Sequence, residues 1–384
     1  MTRSVRAAVM KGPGSLAIDA FPYPEVGPGA VLLKVLYSGI CGTDKHTYRG
    51  ETMQYAGTAH AREIRYPLIC GHENVGVVVA SGGTVMDSEG VPLRPGDRVV
   101  PAANVPCGRC VACRNNHPYY LCEHLEDYGN SLHCGIEPRL FGGWAEYMYL
   151  LPRTPIFRVP DDLPSDVAVL TEPMAVTHGL DTARMILANS IGVRFAESAV
   201  IVGVGPLGLC HLIKARLLGY ARVIAIDRFP SRLDMAQKFG ANLVLNADTT
   251  TASQRNEAVQ EQLGRSPDVV VDCSGVPQTF AESLHMVRSG GVVVEAGAFV
   301  DLGPIAVNPN SDICTKNVAV LGVGGELATA YLPSMRLMAS SLDRLPLRTI
   351  VTHRLALEDA QEAVELAQSD GAMKVVIAPH GTNG

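Results

Sequence analysis

The chain has 384 residues, of which 47% are hydrophobic and 18% charged, and its formal net charge is -6. Because this length exceeds the range in which a single hydrophobic core keeps growing, we expect two domains. The acidic balance does not favour nucleic acid or an anionic membrane as a partner, and no apolar run is long and uninterrupted enough to cross a bilayer.

The ten cysteines are distributed in a way that favours metal binding over disulfides. Four of them cluster between positions 107 and 122, one lies in a Cys-Gly-Thr-Asp turn, and the others are scattered. Such a spread suits a reducing compartment, where clustered thiolates hold metal ions. Met1 to Met10 lacks the apolar segment of a signal peptide, so we expect a cytoplasmic protein.

The first part of the chain, to about residue 165, is rich in glycine and proline. Short β-branched runs recur between its turn signals, at Val31–Leu36, Val75–Val79 and Asp97–Val100. Strands of this length separated by Pro-Gly turns predict a compact β-rich domain with long loops.

Strands and helices alternate regularly from about Ser165 onward. The predicted strands are Ala199–Val202, Val223–Ile226, Val269–Val271, Val292–Glu295 and Val318–Leu321. Continuous apolar strands separated by helices indicate a parallel sheet that is buried on both faces. The tail predicts a helix over Leu357–Gln368 and a last strand at Lys374–Ile377, which we expect to return to the first domain.

The clustered cysteines are Cys107, Cys110, Cys113 and Cys122, with two residues between the first neighbours and eight in the last gap. Four thiolates at this spacing on a turn-rich segment predict a tetrahedral zinc site. A closed site of four cysteines leaves no open position for a substrate, so this zinc is expected to be structural.

A glycine-rich run at the end of a predicted strand indicates a nucleotide site. The run consists of Gly203, Val204, Gly205, Pro206, Leu207 and Gly208, and it opens a helix that extends to about Leu218. In this context the first glycine makes a tight turn, the second lets the backbone approach a pyrophosphate, and the third lets helix and strand pack closely. The helix N-terminus then faces the phosphate charge.

Asp227 ends the next strand, nineteen residues after Gly208. A carboxylate at this position accepts hydrogen bonds from ribose hydroxyls and repels a 2′-phosphate, which favours NAD over NADP. Arg228 beside it softens that repulsion, and Arg232 is placed to stack on adenine. Three residues that follow later strands are further cofactor-binding candidates: Ser274, Gly297 and Ala298.

A second set of metal-binding side chains lies in the first domain. Cys41 and His72 offer a thiolate and an imidazole, and Glu73 or the more distant Glu172 adds a carboxylate. Three protein ligands plus water is the open arrangement that catalytic zinc uses. Each piece alone is unremarkable, because a single His beside a Glu is more often a structural pair; the combination with the cysteine cluster and the nucleotide site gives it weight.

These motifs together resemble the zinc-containing medium-chain dehydrogenase/reductase family along nearly the whole chain. The residues that carry the resemblance are Cys41–Asp44, Gly71–Glu73, Pro95–Val99, the four clustered cysteines, Gly142–Tyr147, Glu172-Pro173 and Gly203–Gly208. The resemblance implies an α/β protein with a GroES-like β-rich catalytic domain and a doubly wound Rossmann domain of parallel strands. We assign residues 1–166 and 341–384 to the first and residues 167–340 to the second.

The resemblance also implies roles for individual residues. Cys41 and His72 correspond to catalytic zinc ligands, and Glu172 corresponds to the third ligand, as in the sorbitol, threonine and glucose dehydrogenase branches. Glu73 is a further catalytic candidate, because in those branches it also binds the metal directly. Thr43 corresponds to the hydroxyl residue that touches the substrate oxygen.

Two more residues of the same turn take roles by resemblance. His46 corresponds to the histidine that passes the proton to solvent, and Asp44 to a carboxylate that orients His72. The expected cofactors are one catalytic zinc, one structural zinc and NAD.

The implied activity is hydride transfer between NAD and the hydroxyl of a secondary alcohol, polyol, sugar or cyclitol. Two alternatives remain open: a quinone or enoyl reductase of the zinc-free type, and a non-catalytic NAD-sensing protein on the same scaffold. The expected partners are a small alcohol-like substrate and further copies of the chain, in a homodimer or homotetramer.

The sequence departs from the family pattern in two places. The last gap of the cysteine cluster is one residue longer than the commonest form, so its loop is expected to bulge. The segment between Cys41 and His72, centred on residues 51–66, is also longer than in most relatives. This segment is either a rim element that shapes substrate choice or a tolerated surface insertion.

Overall fold

The computed structural model of the protein describes residues 3–58, 61–192 and 197–381. Residues 59 and 60 of the segment 51–66 lie outside the described residues, as do the outermost residues at both ends of the expected first domain. None of the helices in the described ranges is long and apolar enough to cross a lipid bilayer.

The strands of the described residues are β1 (Ser4–Gly12), β2 (Ser15–Pro22), β3 (Val31–Gly39), β4 (Met53–Gln54), β5 (Arg62–Glu63), β6 (Leu68–Ile69), β7 (Glu73–Ser81), β8 (Arg98–Pro101), β9 (Asn104–Val105), β10 (Glu126–Asp127), β11 (Tyr147–Leu150), β12 (Ile156–Arg158), β13 (Ser198–Val202), β14 (Arg222–Asp227), β15 (Leu243–Asn246), β16 (Val269–Asp272), β17 (Val292–Glu295), β18 (Ala319–Gly322), β19 (Val351–Ala356) and β20 (Lys374–Ala378).

The α-helices are α1 (Gly42–Arg49), α2 (Val111–Arg114), α3 (Ser165–Ala168), α4 (Thr171–Val176), α5 (His178–Ile191), α6 (Pro206–Leu217), α7 (Pro230–Lys238), α8 (Ala252–Leu263), α9 (Pro277–Met286), α10 (Ala328–Ala339) and α11 (Ala360–Leu366). Short 3-10 turns occupy Tyr119–Leu121, Leu347–Thr349 and Leu357–Asp359.

The chain divides into two compact units, Met1–Ala175 with Leu327–Gly384, and Val176–Glu326. The structure therefore places the boundaries differently from residues 166/167 and 340/341. Helix α10 belongs to the first unit because Tyr331 anchors it there. The Tyr331 ring stacks on Phe157 at 4.7 Å between centroids, and its hydroxyl accepts a hydrogen bond from the Ala103 N–H at 3.0 Å.

The first unit is built around a seven-stranded sheet in the order β12-β8-β7-β3-β20-β19, with β11 also paired to β3. Strand β3 is almost wholly buried, as its β-branched and leucine side chains predict. Strand β20 of the tail runs antiparallel to β3, with Val376 opposite Gly39. This pairing brings the start of β20 beside the turn that contains Cys41.

The second unit contains a six-stranded sheet in the order β15-β14-β13-β16-β17-β18, and all its neighbouring strands are parallel. The order reverses between β13 and β16, and ligands of such sheets bind beyond the carboxyl ends of the strands at this reversal. Most residues of these strands are buried, in line with the apolar runs of the sequence. The predicted α/β fold, a β-rich part and a parallel sheet, is thus confirmed. Strand β15 was missing from the prediction.

Candidate active site

The four clustered cysteines form a complete metal-binding set. The Sγ atoms of Cys107, Cys110, Cys113 and Cys122 all lie within 4.8 Å of one another, and all four cysteines are free thiols. The longer last gap is absorbed by a 3-10 turn at Tyr119–Leu121, so it does not separate Cys122 from the others. The donor set and its closeness fit a tetrahedral zinc ion.

Backbone donors stabilise the thiolate forms in this cluster. The Cys110 N–H donates to Cys107 Sγ at 3.4 Å, and the Cys107 N–H donates to Cys122 Sγ at 3.2 Å. Backbone N–H groups, first that of Arg109, lower the pKa of Cys107 to about 6. Burial instead raises the pKa of Cys122 to about 12, so a bound cation is needed to ionise all four sulfurs.

Cys41 and His72 lie next to each other in the first unit. Cys41 is the N-cap residue of α1, and its side chain hydrogen-bonds to that of His72. Burial opposes ionisation of the Cys41 thiol, but His72 and Lys374 outweigh it and lower the pKa of Cys41. His72 Nδ1 is buried without a hydrogen-bond partner. A thiolate beside an imidazole is a donor pair that suits zinc.

Asp44 supports this pair through the backbone. Its Oδ2 accepts a hydrogen bond from the Cys41 N–H at 2.8 Å, and its Oδ1 accepts one from the Gly71 N–H at 3.3 Å. The carboxylate caps the first turn of α1 and acts on His72 through these backbone contacts and its charge. Asp44 thus fixes the two turns that carry Cys41 and His72, and its charge helps to raise the pKa of His72.

Thr43 and His46 follow Cys41 on α1. Thr43 is 8% exposed, and its Oγ1 is buried without a hydrogen-bond partner in the structure. A buried hydroxyl costs free energy unless it is bonded, so its position fits a bound oxygen group. His46 is partly buried, with Nδ1 at 2.5 Å from Glu51 Oε2.

The two candidate glutamates have different surroundings. Glu172, in α4, interacts electrostatically with His72 and helps to raise its pKa. Glu73 forms a buried ion pair with Lys374, and Lys374 Nζ also donates to the Ile40 carbonyl at 3.1 Å. In the structure the Glu73 carboxylate is therefore paired with a cation of the chain itself, and Lys374 also interacts electrostatically with Glu172.

The cysteine cluster and the Cys41–His72 pair differ in how tightly they are assembled. Apart from the four clustered cysteines, no group of three or more His, Cys, Asp or Glu side chains in the described ranges brings its ligand atoms this close together. His72 nonetheless interacts electrostatically with both Cys41 and Glu172, and so does Lys374. Cys41 and His72 fit as zinc ligands, and Glu172 as the third ligand stays a prediction.

Replacing Lys374 by Met is expected to lower the free energy of unfolding by about 3–5 kcal/mol, because Glu73 would remain as an uncompensated buried charge. Chemical denaturation followed by circular dichroism measures this change. The double variant Glu73→Gln/Lys374→Met removes both charges and should regain most of the loss. Equal destabilisation in the single and double variants would show that packing, and not charge, is responsible.

The glycine-rich run lies where the strand order of the second unit reverses. Gly203 has φ +78°, and a Cβ there would lie 2.7 Å from Ser274 Cα. A Cβ on Gly208 would lie 1.8 Å from the Gly203 carbonyl oxygen, so helix α6 packs against the turn only with glycine. Gly205 is the N-cap of α6 and Pro206 its first residue, as the fingerprint predicts.

Asp227 is buried at the carboxyl end of β14 and bonds into this turn. Its Oδ2 accepts a hydrogen bond from the Val204 N–H at 2.8 Å, and its Oδ1 accepts one from the Phe229 N–H at 2.9 Å. Each oxygen retains a second lone pair for a ribose hydroxyl. Arg228 is 65% exposed and pairs with Asp248 at 3.4 Å, while the Arg232 guanidinium lies 4.6 Å from the Phe229 ring centroid.

Two carboxylates that sequence reasoning missed shape the later cofactor-binding turns. Asp272 and Glu295 are register partners at the ends of β16 and β17. Asp272 Oδ1 accepts a hydrogen bond from the Ser274 N–H at 2.9 Å. Glu295 Oε1 accepts hydrogen bonds from the N–H groups of Gly297 and Ala298 at 3.0 and 2.9 Å. Like Asp227, both are the polar last residue of an apolar strand. This position in the sequence is the signal that could have identified them.

Replacing Glu295 by Gln is expected to stabilise the protein more as pH rises. Burial first, and then the charge of Asp272, raise the pKa of Glu295 from 4.5 to about 7. The folded state therefore holds this proton more tightly, and the stability it contributes below pH 4.5 is lost as pH rises through about 7. Gln keeps the acceptor oxygen but cannot ionise.

We expect the variant to exceed the parent protein by about 2 kcal/mol at pH 8, after allowance for partial exposure, and by only a small part of that at pH 5. Thermal denaturation at pH 5, 6, 7 and 8 measures the difference. The exposed Glu261→Gln in α8 is the matched control and should show no such trend. A constant offset for Glu295→Gln at all four pH values would exclude ionisation as the cause.

Known protein families match both units of the chain. The family described as alcohol dehydrogenase GroES-like domain matches residues 27–161, and the family described as zinc-binding dehydrogenase matches residues 206–340. A 5-exo-hydroxycamphor dehydrogenase of Pseudomonas putida is 30% identical over 97% of this chain and 98% of its own length. A sorbitol dehydrogenase of Ovis aries is 30% identical over 96% of this chain and 95% of its own length.

Solved structures agree over nearly the full length. An alcohol dehydrogenase of Thermotoga maritima has a TM-score of 0.85 and 29% identity, covering 98% of this chain and 99% of the other. A zinc-binding dehydrogenase of Sinorhizobium meliloti, described as putative and bound to NADP, has a TM-score of 0.81 and 27% identity, covering 98% and 100%. The fold is thus shared with these proteins over nearly the whole chain.

Proposed function

Because the chain belongs to the zinc-containing medium-chain dehydrogenase family, we propose that it transfers hydride between NAD and the hydroxyl-bearing carbon of a secondary alcohol, polyol, sugar or cyclitol. The observation that carries the proposal is the grouping on and beside α1. Cys41 and His72 form a donor pair, Glu172 lies within electrostatic range, and Thr43 Oγ1 is buried without a partner. This grouping would supply ligands to a zinc ion and a hydroxyl that can hydrogen-bond to a substrate oxygen.

Each of these residues has a distinct task in the proposed reaction. When bound, zinc would stabilise negative charge on the substrate oxygen and NAD would accept the hydride. Cys41, His72 and Glu172 would hold the metal, while Asp44 keeps the Cys41 and His72 turns in place. Thr43 Oγ1 accepts the proton of the substrate hydroxyl while donating its own, and His46 accepts a proton on its way to solvent.

Asp227 supports NAD as the preferred cofactor. Its carboxylate is buried and bonded to the Val204 N–H, so a 2′-phosphate at this site would meet a fixed negative charge, which Arg232 offsets only in part with its Nη1 at 3.9 Å from Oδ2. Arg228 does not neutralise it, because its guanidinium is exposed and pairs with Asp248. The relative bound to NADP leaves the opposite preference as an outcome of the test.

The names of two relatives support a proposed substrate class. One is a sorbitol dehydrogenase and another a 5-exo-hydroxycamphor dehydrogenase, and the names of both point to hydroxyl oxidation on a polyol or a carbon ring. Glu172 in the ligand set also favours polyhydroxy substrates. We therefore place this chain among dehydrogenases of secondary hydroxyl groups in polyols or cyclic compounds.

The proposal is tested by reduction of NAD and NADP at 340 nm against a panel of primary alcohols, linear polyols, sugars, cyclitols and bicyclic alcohols. We expect turnover on at least one secondary alcohol, with kcat/KM higher for NAD than for NADP. Reduction of quinones or enones without any alcohol oxidation would overturn the proposal. NADH binding without turnover on any class would favour the non-catalytic alternative.

We propose further that the protein forms a homodimer or homotetramer in the cytoplasm. Strand β18 ends the sheet order of the second unit, and Val320 on it is 44% exposed, which favours pairing with another copy. Ten free cysteines favour a reducing compartment. Size-exclusion chromatography with light scattering tests the assembly, and a monomer at micromolar concentration would contradict it.

A further inference from the structure

The end of helix α1 carries a group of side chains that the proposed reaction does not yet use. Gly50 is the C-cap of α1 with φ 83°, a left-handed conformation that favours glycine. The chain therefore turns back, and the Glu51 N–H donates to the His46 carbonyl at 2.9 Å. This turn places the Glu51 carboxylate beside Nδ1 of the His46 ring.

Glu51 is held against His46 by an arginine. Glu51 Oε2 lies 2.5 Å from His46 Nδ1, and it accepts hydrogen bonds from Arg49 Nη2 and Nε at 2.8 and 3.2 Å. Arg49 Nη1 donates in turn to Gln368 Oε1 at 2.9 Å, just beyond helix α11. The arrangement is thus anchored to a second element and does not depend on the His46–Glu51 contact alone.

The contact selects one form of the imidazole ring. An ionised carboxylate only accepts hydrogen bonds, so at 2.5 Å the Nδ1 atom must carry the proton and donate it to Glu51. Arg49 Nη2 also lies 2.9 Å from Nδ1, but an unprotonated Nδ1 would set its lone pair against the Glu51 carboxylate at 2.5 Å, so we assign the proton to Nδ1. With Nδ1 as donor, Nε2 keeps its lone pair and is the ring atom that accepts a further proton.

We propose that Glu51 is a positioning residue for the proton path: it holds His46 as the Nδ1–H form with Nε2 ready to accept, and Arg49 keeps Glu51 ionised and in place. This inference rests on the proposed dehydrogenase function. When Nε2 takes up the proton released by the substrate hydroxyl, the ring becomes positively charged and Glu51 stabilises that charge. The proton then leaves from Nε2 to solvent, and His46 returns to its starting form.

The charged groups around His46 shift its pKa in known directions. Burial lowers the pKa of His46; Glu51 raises it, whereas Arg49 and Lys45 lower it. The hydrogen bond from Arg49 is the largest cause that lowers the pKa of Glu51. Helix α11 packs on α1. Its Glu365 accepts a hydrogen bond from the Tyr48 hydroxyl at 2.9 Å. Gln368, just after the helix, contacts Arg49 and carries no charge.

Two variants are expected to shift the His46 titration in opposite directions. Glu51→Gln removes the negative charge and should lower the pKa of His46 by about one unit, and Arg49→Gln removes a positive charge and should raise it. Histidine labelled with carbon-13 reports this pKa directly by nuclear magnetic resonance, with His46→Asn identifying the signal. The exposed Glu63→Gln in strand β5 is the matched control and should leave the titration unchanged.

Kinetics supply the second readout on the zinc-loaded enzyme. In Glu51→Gln we expect kcat to fall about tenfold with KM unchanged, a loss equivalent to one weakened proton transfer. The acidic limb of the kcat profile should move to lower pH in Glu51→Gln and to higher pH in Arg49→Gln. A purely structural role for Glu51 would change thermal stability without these opposite movements.

The His46 pKa can be measured whether or not the protein oxidises an alcohol. Failure of the Glu51 proposal can therefore be distinguished from failure of the proposed dehydrogenase function. An unchanged His46 pKa in both folded variants, with normal turnover, would overturn the role of Glu51. Opposite pKa shifts without turnover of any alcohol would count against the dehydrogenase function and leave the positioning of His46 supported. Equal shifts of the same sign in both variants would also overturn the inference, because they would show a general disturbance of α1.

Discussion

Replacing Cys41 by Ser or His72 by Ala is expected to remove one zinc ion per chain and to lower kcat/KM by about a thousandfold or more. Metal-ion catalysis supplies several kcal/mol of stabilisation to developing charge on oxygen, and each 1.4 kcal/mol or so is a factor of about ten. Both residues lie in one donor pair, so either change disrupts the same site. Metal analysis of the purified protein and steady-state kinetics on the substrate found in the panel measure the two effects.

The exposed Cys314, which lies in the other unit, provides the control for this pair. Cys314→Ser removes a thiol and should retain both the metal content and kcat/KM. The metal content decides the interpretation of a kinetic loss, because the zinc of the four clustered cysteines must remain in every variant. Retention of two zinc ions and near-normal turnover in Cys41→Ser would show that this residue does not hold a catalytic metal.

Backbone requirements made the nucleotide-binding turn predictable. Gly203 and Gly208 have neighbouring backbone atoms within 3 Å of where a Cβ would lie, so the spacing of these glycines encodes the geometry directly. The cysteine cluster was predictable for a similar reason, since its ligands are close along the chain. Residue spacing along the chain is therefore enough to predict both the glycine-rich turn and the cysteine cluster.

Long-range contacts were not predictable in the same way. Lys374 begins an apolar strand, and nothing near it in the sequence indicates that it pairs with Glu73 of β7, on the other side of β3. Strand β15 was missed because its residues are only partly buried at the edge of the sheet and its apolar run is short. The sequence places Glu51 in the inserted segment and does not indicate its contact with His46. That contact depends on the left-handed conformation of Gly50, which turns the chain back at the end of α1.

The segment 51–66 is more than a loop on the surface. Strands β4 and β5 pair within it, Gln54 Nε2 donates to Asn130 Oδ1 at 3.2 Å, and Arg62 Nη1 donates to the Leu125 carbonyl at 3.0 Å. Its partners belong to the stretch that follows Cys122. The insertion therefore depends on the part of the chain that the cysteine cluster organises, which leads to a prediction about that metal.

Replacing Cys110 by Ser is expected to release the structural zinc and to lower the melting temperature by about 10 °C. Zinc held by four cysteines contributes directly to folding free energy, and each kcal/mol lost lowers the melting temperature of a unit of this size by about 2–4 °C. Differential scanning calorimetry of the holoenzyme measures the change. The exposed Val111→Ser, one residue along the same loop, keeps all four ligands and should leave the melting temperature unchanged.

Hydrogen exchange shows which segments lose stability when the structural zinc is released, and kinetics show whether catalysis is affected. Release of this zinc should speed amide exchange first around the cysteine loop and then in β4, β5 and residues 125–130, because those segments are bonded to one another. Neither Cys41 nor His72 takes part in these hydrogen bonds, although Gly129 lies against the Gly71 backbone, so kcat/KM per chain loaded with catalytic zinc should be retained at temperatures well below melting. A Cys110→Ser protein that loses its zinc yet keeps its melting temperature and exchange pattern would show that the cluster does not stabilise the fold.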